Sequence, residues 1–180
     1  MPSEVYGFFP YTEDQRRSGR TVARPVLDLK VNGSRVVSCR ALVDTGAPWC
    51  VFDNSVALLA GIDMSGQRSA GTDEQIHFLG SSPWVRFVDV DLQLPPPFQD
   101  HAWSARCGFL HDADLPVALA GVLGQEGFFD RCVVTFNMID NYFVVEQHQT
   151  FQDRLGGQGI DPYEAWQIQN YDSEWAPPGT

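Results

Sequence analysis

One stretch of the chain reads Ala41-Leu42-Val43-Asp44-Thr45-Gly46-Ala47, an apolar run that leads directly into Asp-Thr-Gly. A carboxylate at the end of a buried strand is costly unless hydrogen bonds or a partner charge stabilise it. Thr45 supplies a hydroxyl, and Gly46 allows a tight turn whose N–H groups can reach the carboxylate. Because Asp, Thr and Gly are also common in turns, the tripeptide is either a poised acid–base group or a plain turn that ends a strand.

A β-hairpin is predicted to deliver Asp44. Residues 25–31 alternate apolar and polar side chains, Asn32-Gly33 is a strong signal for a two-residue hairpin turn, and residues 35–43 return as the second strand. Similar short runs predict further strands at 49–52, 75–79, 84–94, 102–110, 115–124, 132–136 and 142–146, and brief helices at 55–60 and 125–131. The pattern indicates a mainly β domain, with Asp44 in a loop that leaves a strand.

The size and charge of the chain limit its possible functions. Its 180 residues suit one domain, which we predict at 21–148, between an N-terminal arm at 1–20 and an acidic, partly disordered tail at 149–180. The net charge of −11 argues against binding to nucleic acid and to anionic membrane surfaces. We therefore expect neither a nucleic acid nor a membrane among its partners.

The cysteines and the termini bear on the compartment and on cofactors. The four cysteines are widely spaced, and we see neither a signal-peptide pattern nor an apolar run long enough to cross a membrane. A cytoplasmic protein with free thiols is the resulting expectation. His101 and Cys107 are a weak metal signal at most, and the chain has no phosphate-binding glycine motif, so we predict no metal and no cofactor.

Two separated stretches together resemble the retropepsin-like aspartic proteases, the single-lobe, retroviral-type branch of that family, in its bacterial form. Residues 42–47 resemble the catalytic loop, and Val122-Leu123-Gly124, about eighty residues on, resembles the hydrophobic-hydrophobic-Gly motif that packs beside it. The resemblance covers roughly residues 20–147. It implies an all-β fold, a closed or partly open β-barrel with one short helix after the second motif.

The resemblance also implies an aspartic endopeptidase that acts on a polypeptide substrate. Asp44 would be the catalytic residue, with Thr45, Gly46 and Ala47 as its supporting loop. Hydrolysis of an amide needs an activated water and a proton for the leaving nitrogen, and in an aspartic protease two carboxylates that share one proton supply both. The chain carries one Asp-Thr-Gly, and Asp172-Ser173-Glu174 lacks the glycine, so the second carboxylate must come from a homodimer partner.

A flap that covers the substrate is the part that the sequence predicts least well. The candidate is the segment from Ser65 to Phe78, with Gly71 and Thr72 near its tip. This segment carries Asp73 and Glu74 and lacks a dense glycine run, so it is either a flap with a different specificity or a loop. Two broader alternatives also stay open: a retropepsin-like module that binds or dimerises without proteolysis, and a barrel whose Asp-Thr-Gly arose by chance.

Overall fold

The structure, a computed structural model, describes residues 7–15, 21–65, 73–77, 82–95, 101–111, 115 and 119–157. Within these ranges the chain forms, in order, β1 (Gly7–Pro10), β2 (Thr12–Gln15), β3 (Thr21–Arg24), β4 (Val26–Asn32), β5 (Val36–Val43), β6 (Val51–Phe52), α1 (Asn54–Ala60), β7 (Asp73–Gln75), β8 (Trp84–Gln93), β9 (Ala102–Leu110), β10 (Gly121–Leu123), β11 (Cys132–Asn137), β12 (Tyr142–Gln147) and α2 (His148–Gly157).

Six of these strands close into a barrel. Its strand order is β4-β5-β10-β6-β9-β8, and β8 pairs back with β4 to complete the ring. The predicted hairpin is present as β4 and β5, which pair antiparallel from Val26↔Leu42 to Asn32↔Val36. The predicted fold class, an all-β closed barrel, is therefore confirmed.

The barrel interior follows from the alternation of side chains along its strands. In β4, Leu27, Leu29 and Val31 are almost fully buried while Asp28 faces solvent, as expected for a strand with one apolar face. Large aromatic residues complete the core, and Phe52 and Phe109 stack with their ring centroids 5.7 Å apart. Burial of this apolar surface is the main term that stabilises the barrel.

A smaller sheet lies outside the ring, in the order β1-β12-β11. Part of the predicted N-terminal arm enters this sheet, because Gly7–Pro10 pair antiparallel with Tyr142–Val145. The helix α2 follows β12 directly and covers the first nine residues of the predicted tail. None of the helices in the described part of the chain is both long enough and apolar enough to cross a bilayer.

The short helix predicted at 125–131 is replaced by a series of turns, which corrects that part of the prediction. The N–H groups of Phe129 and Asp130 donate to carbonyls five residues back, at 3.2 and 3.0 Å, instead of four. Gly127 has a φ of 96°, which lies outside the helical region, and its N–H donates to Asp130 Oδ1 at 3.0 Å. The glycine and this local bond together favour turns over a helix.

Candidate active site

The barrel brings the two sequence motifs side by side. β5 and β10 run parallel, with Leu42 opposite Val122 and Val43 opposite Leu123. The N–H of Asp44 extends this ladder and donates to the carbonyl of Leu123 at 3.0 Å. Asp44 therefore leaves the barrel at the point where the second motif also ends.

The carboxylate of Asp44 is held by backbone and is only partly buried. Its Oδ1 accepts the N–H of Gly46 at 2.9 Å. Its Oδ2 has no hydrogen-bond partner among the residues that the structure describes. Thr45 is exposed, and its carbonyl accepts the Nε2–H of Gln125 at 3.0 Å. One carboxylate oxygen and one hydroxyl are thus presented outward from a fixed loop.

Gly124 lets the second motif approach the Asp44 loop closely. A Cβ at this position would lie 2.6 Å from the carbonyl oxygen of Ala47 and would also overlap that of Trp49. The N–H of Gln125 then donates to the same Ala47 carbonyl at 2.8 Å. The second motif acts as a backbone support for the loop, which requires a residue without a side chain at 124.

Gln125 is a supporting residue that the sequence prediction missed. Its side chain reaches the Thr45 carbonyl while its backbone holds Ala47, so one residue fixes the loop at two points. The one feature of the sequence that indicates a supporting role for Gln125 is its position directly after the Val122-Leu123-Gly124 motif. The sequence pattern predicts a helix over this segment, and a helix assigns that side chain no partner in the Asp44 loop.

Of the candidate flap at 65–78, the structure describes Ser65 and residues 73–77, in which β7 pairs antiparallel with β8 as the β7–β8 hairpin. Gln75 lies opposite Trp84, so the connection between the two strands runs through residues 76–83. The predicted tip residues Gly71 and Thr72 precede β7 in the chain and lie outside the described residues. Asp73, noted in the sequence as a departure from a glycine-rich flap, begins the first strand of this hairpin.

A buried ion pair fixes the base of the β7–β8 hairpin. Asp73 has a side-chain exposure of 0%, and Arg86 donates to it in a forked arrangement, from Nε to Oδ1 at 2.9 Å and from Nη2 to Oδ2 at 3.0 Å. His111 Nε2 lies 2.8 Å from the same Oδ1. The hydrogen bonds to Asp73 raise the pKa of Arg86, so the guanidinium stays charged.

An apolar wall joins this hairpin to the Asp44 loop. Trp49, five residues after Asp44, packs edge-on against Phe87 of β8, with the ring centroids 5.8 Å apart. Ile76 is buried in the same small cluster. The guanidinium of Arg106 also lies over the Phe87 ring, with its central carbon 5.5 Å from the ring centroid. The chain that leaves the Asp44 loop is therefore packed through Trp49 against β8 of this hairpin.

The thiols and metal-binding groups offer no second chemistry in the described part of the chain. All four cysteines are free, and burial raises the pKa of Cys39 and of Cys132 to about 12. A thiol with such a pKa is a poor nucleophile near neutral pH. Among the described residues, no group of three or more His, Cys, Asp or Glu side chains is arranged to hold a metal ion.

Comparison with known proteins supports the fold. No family model matches the chain, and no curated protein matches it. Among solved structures, the chain is similar to a retropepsin-like aspartic protease from Rickettsia conorii, at 13% identity over 79% of this chain and 91% of that one, with a TM-score of 0.51. At this identity the likeness shows a retropepsin-like fold and leaves the activity to be argued from the site.

Proposed function

We propose that the chain is one half of a homodimeric aspartic endopeptidase of the bacterial retropepsin-like type, which hydrolyses peptide bonds in a polypeptide substrate. The observation that carries the proposal is the state of Asp44. Its Oδ1 is anchored by the N–H of Gly46, its Oδ2 is unpaired among the described residues, and the loop is braced from behind by Gly124 and Gln125. The Gly46 bond also occurs in plain Asp turns, whereas the support from Gln125, 80 residues away, is what such a turn does not need.

In the proposed reaction, Asp44 of each copy supplies one carboxylate. Two such groups a few Å apart cannot both ionise, so the pair holds a single proton. The ionised member takes a proton from water as the water attacks the peptide carbonyl, and the protonated member donates to the carbonyl oxygen, which gives a diol intermediate. The C–N bond then breaks as the nitrogen takes a proton from the first carboxyl group and the second carboxylate takes a proton from one hydroxyl of the diol, so that amine and acid leave and the pair again holds one proton. The exposed hydroxyl of Thr45 is available to bond across the two-fold axis and hold the loops in register.

The β7–β8 hairpin is the proposed cover of the substrate. Its base is held by the buried Asp73–Arg86 pair, and its Ile76 and Phe87 pack in one apolar cluster with Trp49, which follows the Asp44 loop. A cover of this kind excludes water and orients the peptide. The free thiols agree with an enzyme of the reducing cytoplasm.

The test compares the wild-type protein with Asp44→Asn on a library of proteome-derived peptides, with cleavage read by mass spectrometry over a pH range from acid to neutral. Asp89→Asn, at an exposed position on β8, is the matched control. We expect the wild type and the control to cleave the same bonds and Asp44→Asn to cleave none. Equal products from wild type and Asp44→Asn would refute the protease and favour the binding or dimerisation module instead.

A further inference from the structure

A cleft of about 400 Å³ lies beside α1, and no residue of the Asp44 loop is among the described residues that line it. Its walls come from α1, from residues 62–65 that follow this helix, and from His111 directly after β9. We refer to it as the α1 cleft. Its volume falls within the range of sites that bind small molecules, about 300–1,000 Å³. The kind of ligand that fits follows from the residues of the cleft itself.

Three of the residues that line the α1 cleft are apolar. Leu58 on α1 is exposed, and Ile62 and Met64 are half-buried. An ion without an apolar part would gain nothing from these side chains, whereas an alkyl chain placed against them would be removed from water. The apolar residues therefore favour a ligand that carries an alkyl chain.

Asn54, in the wall of the α1 cleft, has an amide oxygen that lacks a hydrogen bond. Its Oδ1 is buried and has no hydrogen-bond partner in the part of the chain that the structure describes. A buried oxygen left unpaired costs free energy, which an N–H donor on a ligand would recover. The last side-chain torsion of Asn is soft, so this oxygen can turn toward a ligand in the cleft.

Asp63 adds a negative charge that is held in place beside the α1 cleft. Its Oδ1 accepts the N–H of Ser65 at 2.8 Å and the hydroxyl of Ser65 at 2.6 Å, while its Oδ2 has no hydrogen-bond partner among the described residues. The bonds from the hydroxyl and the N–H of Ser65 lower the pKa of Asp63, so the carboxylate is ionised at neutral pH. The carbonyl of Asp63 accepts the Nη1–H of Arg86 at 3.1 Å, which fixes the backbone as well. The acceptor is therefore in position before a ligand binds, which lowers the cost of binding.

His111 supplies a third acceptor to the α1 cleft. Its Nε2 lies 2.8 Å from Oδ1 of Asp73, a carboxylate that also accepts from Arg86, so in the neutral ring Nε2 carries the hydrogen. Nδ1 then keeps its lone pair and can accept. None of the described residues that line the cleft is Lys or Arg. The polar side chains of the cleft therefore favour a donor with a positive charge and disfavour an anion.

We propose that the α1 cleft binds an organic ammonium ion, with its N–H groups on the three acceptors and its alkyl chain on the three apolar side chains. An ammonium group has three donors and no acceptor, which matches this set. The net charge of −11 on the chain attracts cations to its surface. A free alkylamine and the side chain of a lysine in a peptide share this chemistry. The inference goes beyond the proposed protease, because binding here needs neither a second copy of the chain nor peptide cleavage.

The first experiment titrates the full chain with n-hexylamine at neutral pH and follows the backbone amide signals by two-dimensional NMR. Hexanoate and n-hexanol are the matched controls, because they carry the same alkyl chain on an anion and on a neutral group. We expect saturable shifts with the amine, centred on residues 62–65 and on His111, and much weaker binding of both controls. Shifts centred elsewhere, no saturation with the amine, or hexanoate that binds as tightly as the amine overturns the proposal.

The second experiment measures the dissociation constant of n-hexylamine for two variants of the cleft. Asn54→Leu removes an acceptor and should weaken binding about tenfold. Asp63→Asn removes a charge but can still accept both bonds from Ser65, and it should weaken binding about fivefold because the charge is exposed. Asp91→Asn is the control, since this exposed aspartate also accepts a serine hydroxyl, that of Ser104, and does not line the cleft.

Thermal unfolding and circular dichroism establish that the three variants are folded before their affinities are compared. Wild-type affinity in both cleft variants overturns the proposal. An equal loss in Asp91→Asn and in Asp63→Asn also overturns it, because the amine would then respond only to the overall charge of the chain.

The third experiment distinguishes the two sources of the ammonium group. It compares n-hexylamine with N-acetyl-lysine methylamide, and uses N-acetyl-norleucine methylamide as the control that lacks the ammonium group. Tighter binding of the lysine derivative assigns the cleft to a lysine side chain of a polypeptide, and tighter binding of hexylamine assigns it to a free amine. A norleucine derivative that binds as tightly as the lysine derivative overturns the proposal.

Discussion

Two aspartates, Asp44 and Asp73, show opposite ways of placing a carboxylate in this fold. Asp44 is partly exposed, bonded once by a backbone N–H, and has an oxygen without a partner among the described residues. Asp73 is fully buried and is held by the forked guanidinium of Arg86 and by His111. The first arrangement leaves an oxygen for another molecule, and the second leaves none. An open oxygen is what the proposed catalysis requires of Asp44, whereas the paired Asp73 holds β7 against β8.

The largest effect on stability is expected when the buried pair is broken. Arg86→Met leaves Asp73 buried without its main partner, which costs about 3–5 kcal/mol in the free energy of unfolding. The double variant Asp73→Leu/Arg86→Met removes both charges and should recover most of that loss. Urea denaturation of the wild type, both single variants and the double variant measures the coupling. A single variant Arg86→Met as stable as the wild type would show that Asp73 is not a structural carboxylate.

The backbone support of Asp44 is tested by Gly124→Ala. The added Cβ meets the carbonyls of Ala47 and Trp49, so the loop has to shift at an expected cost of about 1–3 kcal/mol. Gly156→Ala on α2 is the control, since nothing lies within 4 Å of its Cβ. Thermal unfolding measures both. Cleavage should fall with Gly124→Ala even at a temperature where the variant is fully folded, and an unchanged rate would argue that the support does not position Asp44.

The sequence predicts those parts of the fold and of the site that are determined by residues close together in the chain. The β4–β5 hairpin and the position of Asp44 at its end follow from alternation and from Asn32-Gly33, which act over a few residues. β9 has the predicted bounds for the same reason. The all-β class and the order of the elements were therefore accessible before the structure.

The remainder depends on partners that are distant in the chain. β7 is a polar stretch, Asp73-Glu74-Gln75, and becomes a strand because it pairs with β8. The burial of Asp73 depends on Arg86 and on His111, 13 and 38 residues away. Nothing in the local pattern indicates that this aspartate is inside the protein while Asp44 is partly outside. The contact of Gln125 with Thr45 is equally non-local, across 80 residues.

Histidines extend the comparison between paired and unpaired buried groups. His111 bonds to Asp73, whereas His101 is 3% exposed and neither of its ring nitrogens has a hydrogen-bond partner among the residues that the structure describes. Burial lowers the pKa of His101 in the folded protein, whereas the pKa of a histidine in the unfolded chain is near 6.5. At a pH between the two pKa values, the unfolded chain therefore binds more protons than the folded protein does. Unfolding free energy should therefore fall as pH drops below about 6.5, by at most about 1.4 kcal/mol per pH unit from this residue.

The measurement for His101 is the unfolding free energy of wild type and of His101→Phe at pH 7.5, 6.5 and 5.5. Phe keeps the edge contact with Trp103, whose ring centroid lies 6.4 Å away, and removes the titrating group. The variant should gain stability relative to the wild type as pH falls. A difference between the two proteins that stays constant over this range would show that His101 does not resist protonation in the folded state.

The smallest expected change in stability belongs to Asp44→Asn, and this closes the contrast with Asp73. The amide oxygen of Asn can still accept the N–H of Gly46, and the second carboxylate oxygen has no partner to lose among the described residues. The free energy of unfolding should stay within about 0.5 kcal/mol of the wild type. Urea denaturation at pH 7 measures this, beside the peptide assay. A loss of more than about 2 kcal/mol would place Asp44 with Asp73 as a structural group. Unchanged stability together with lost cleavage would show a residue retained for chemistry, because the fold does not depend on its charge.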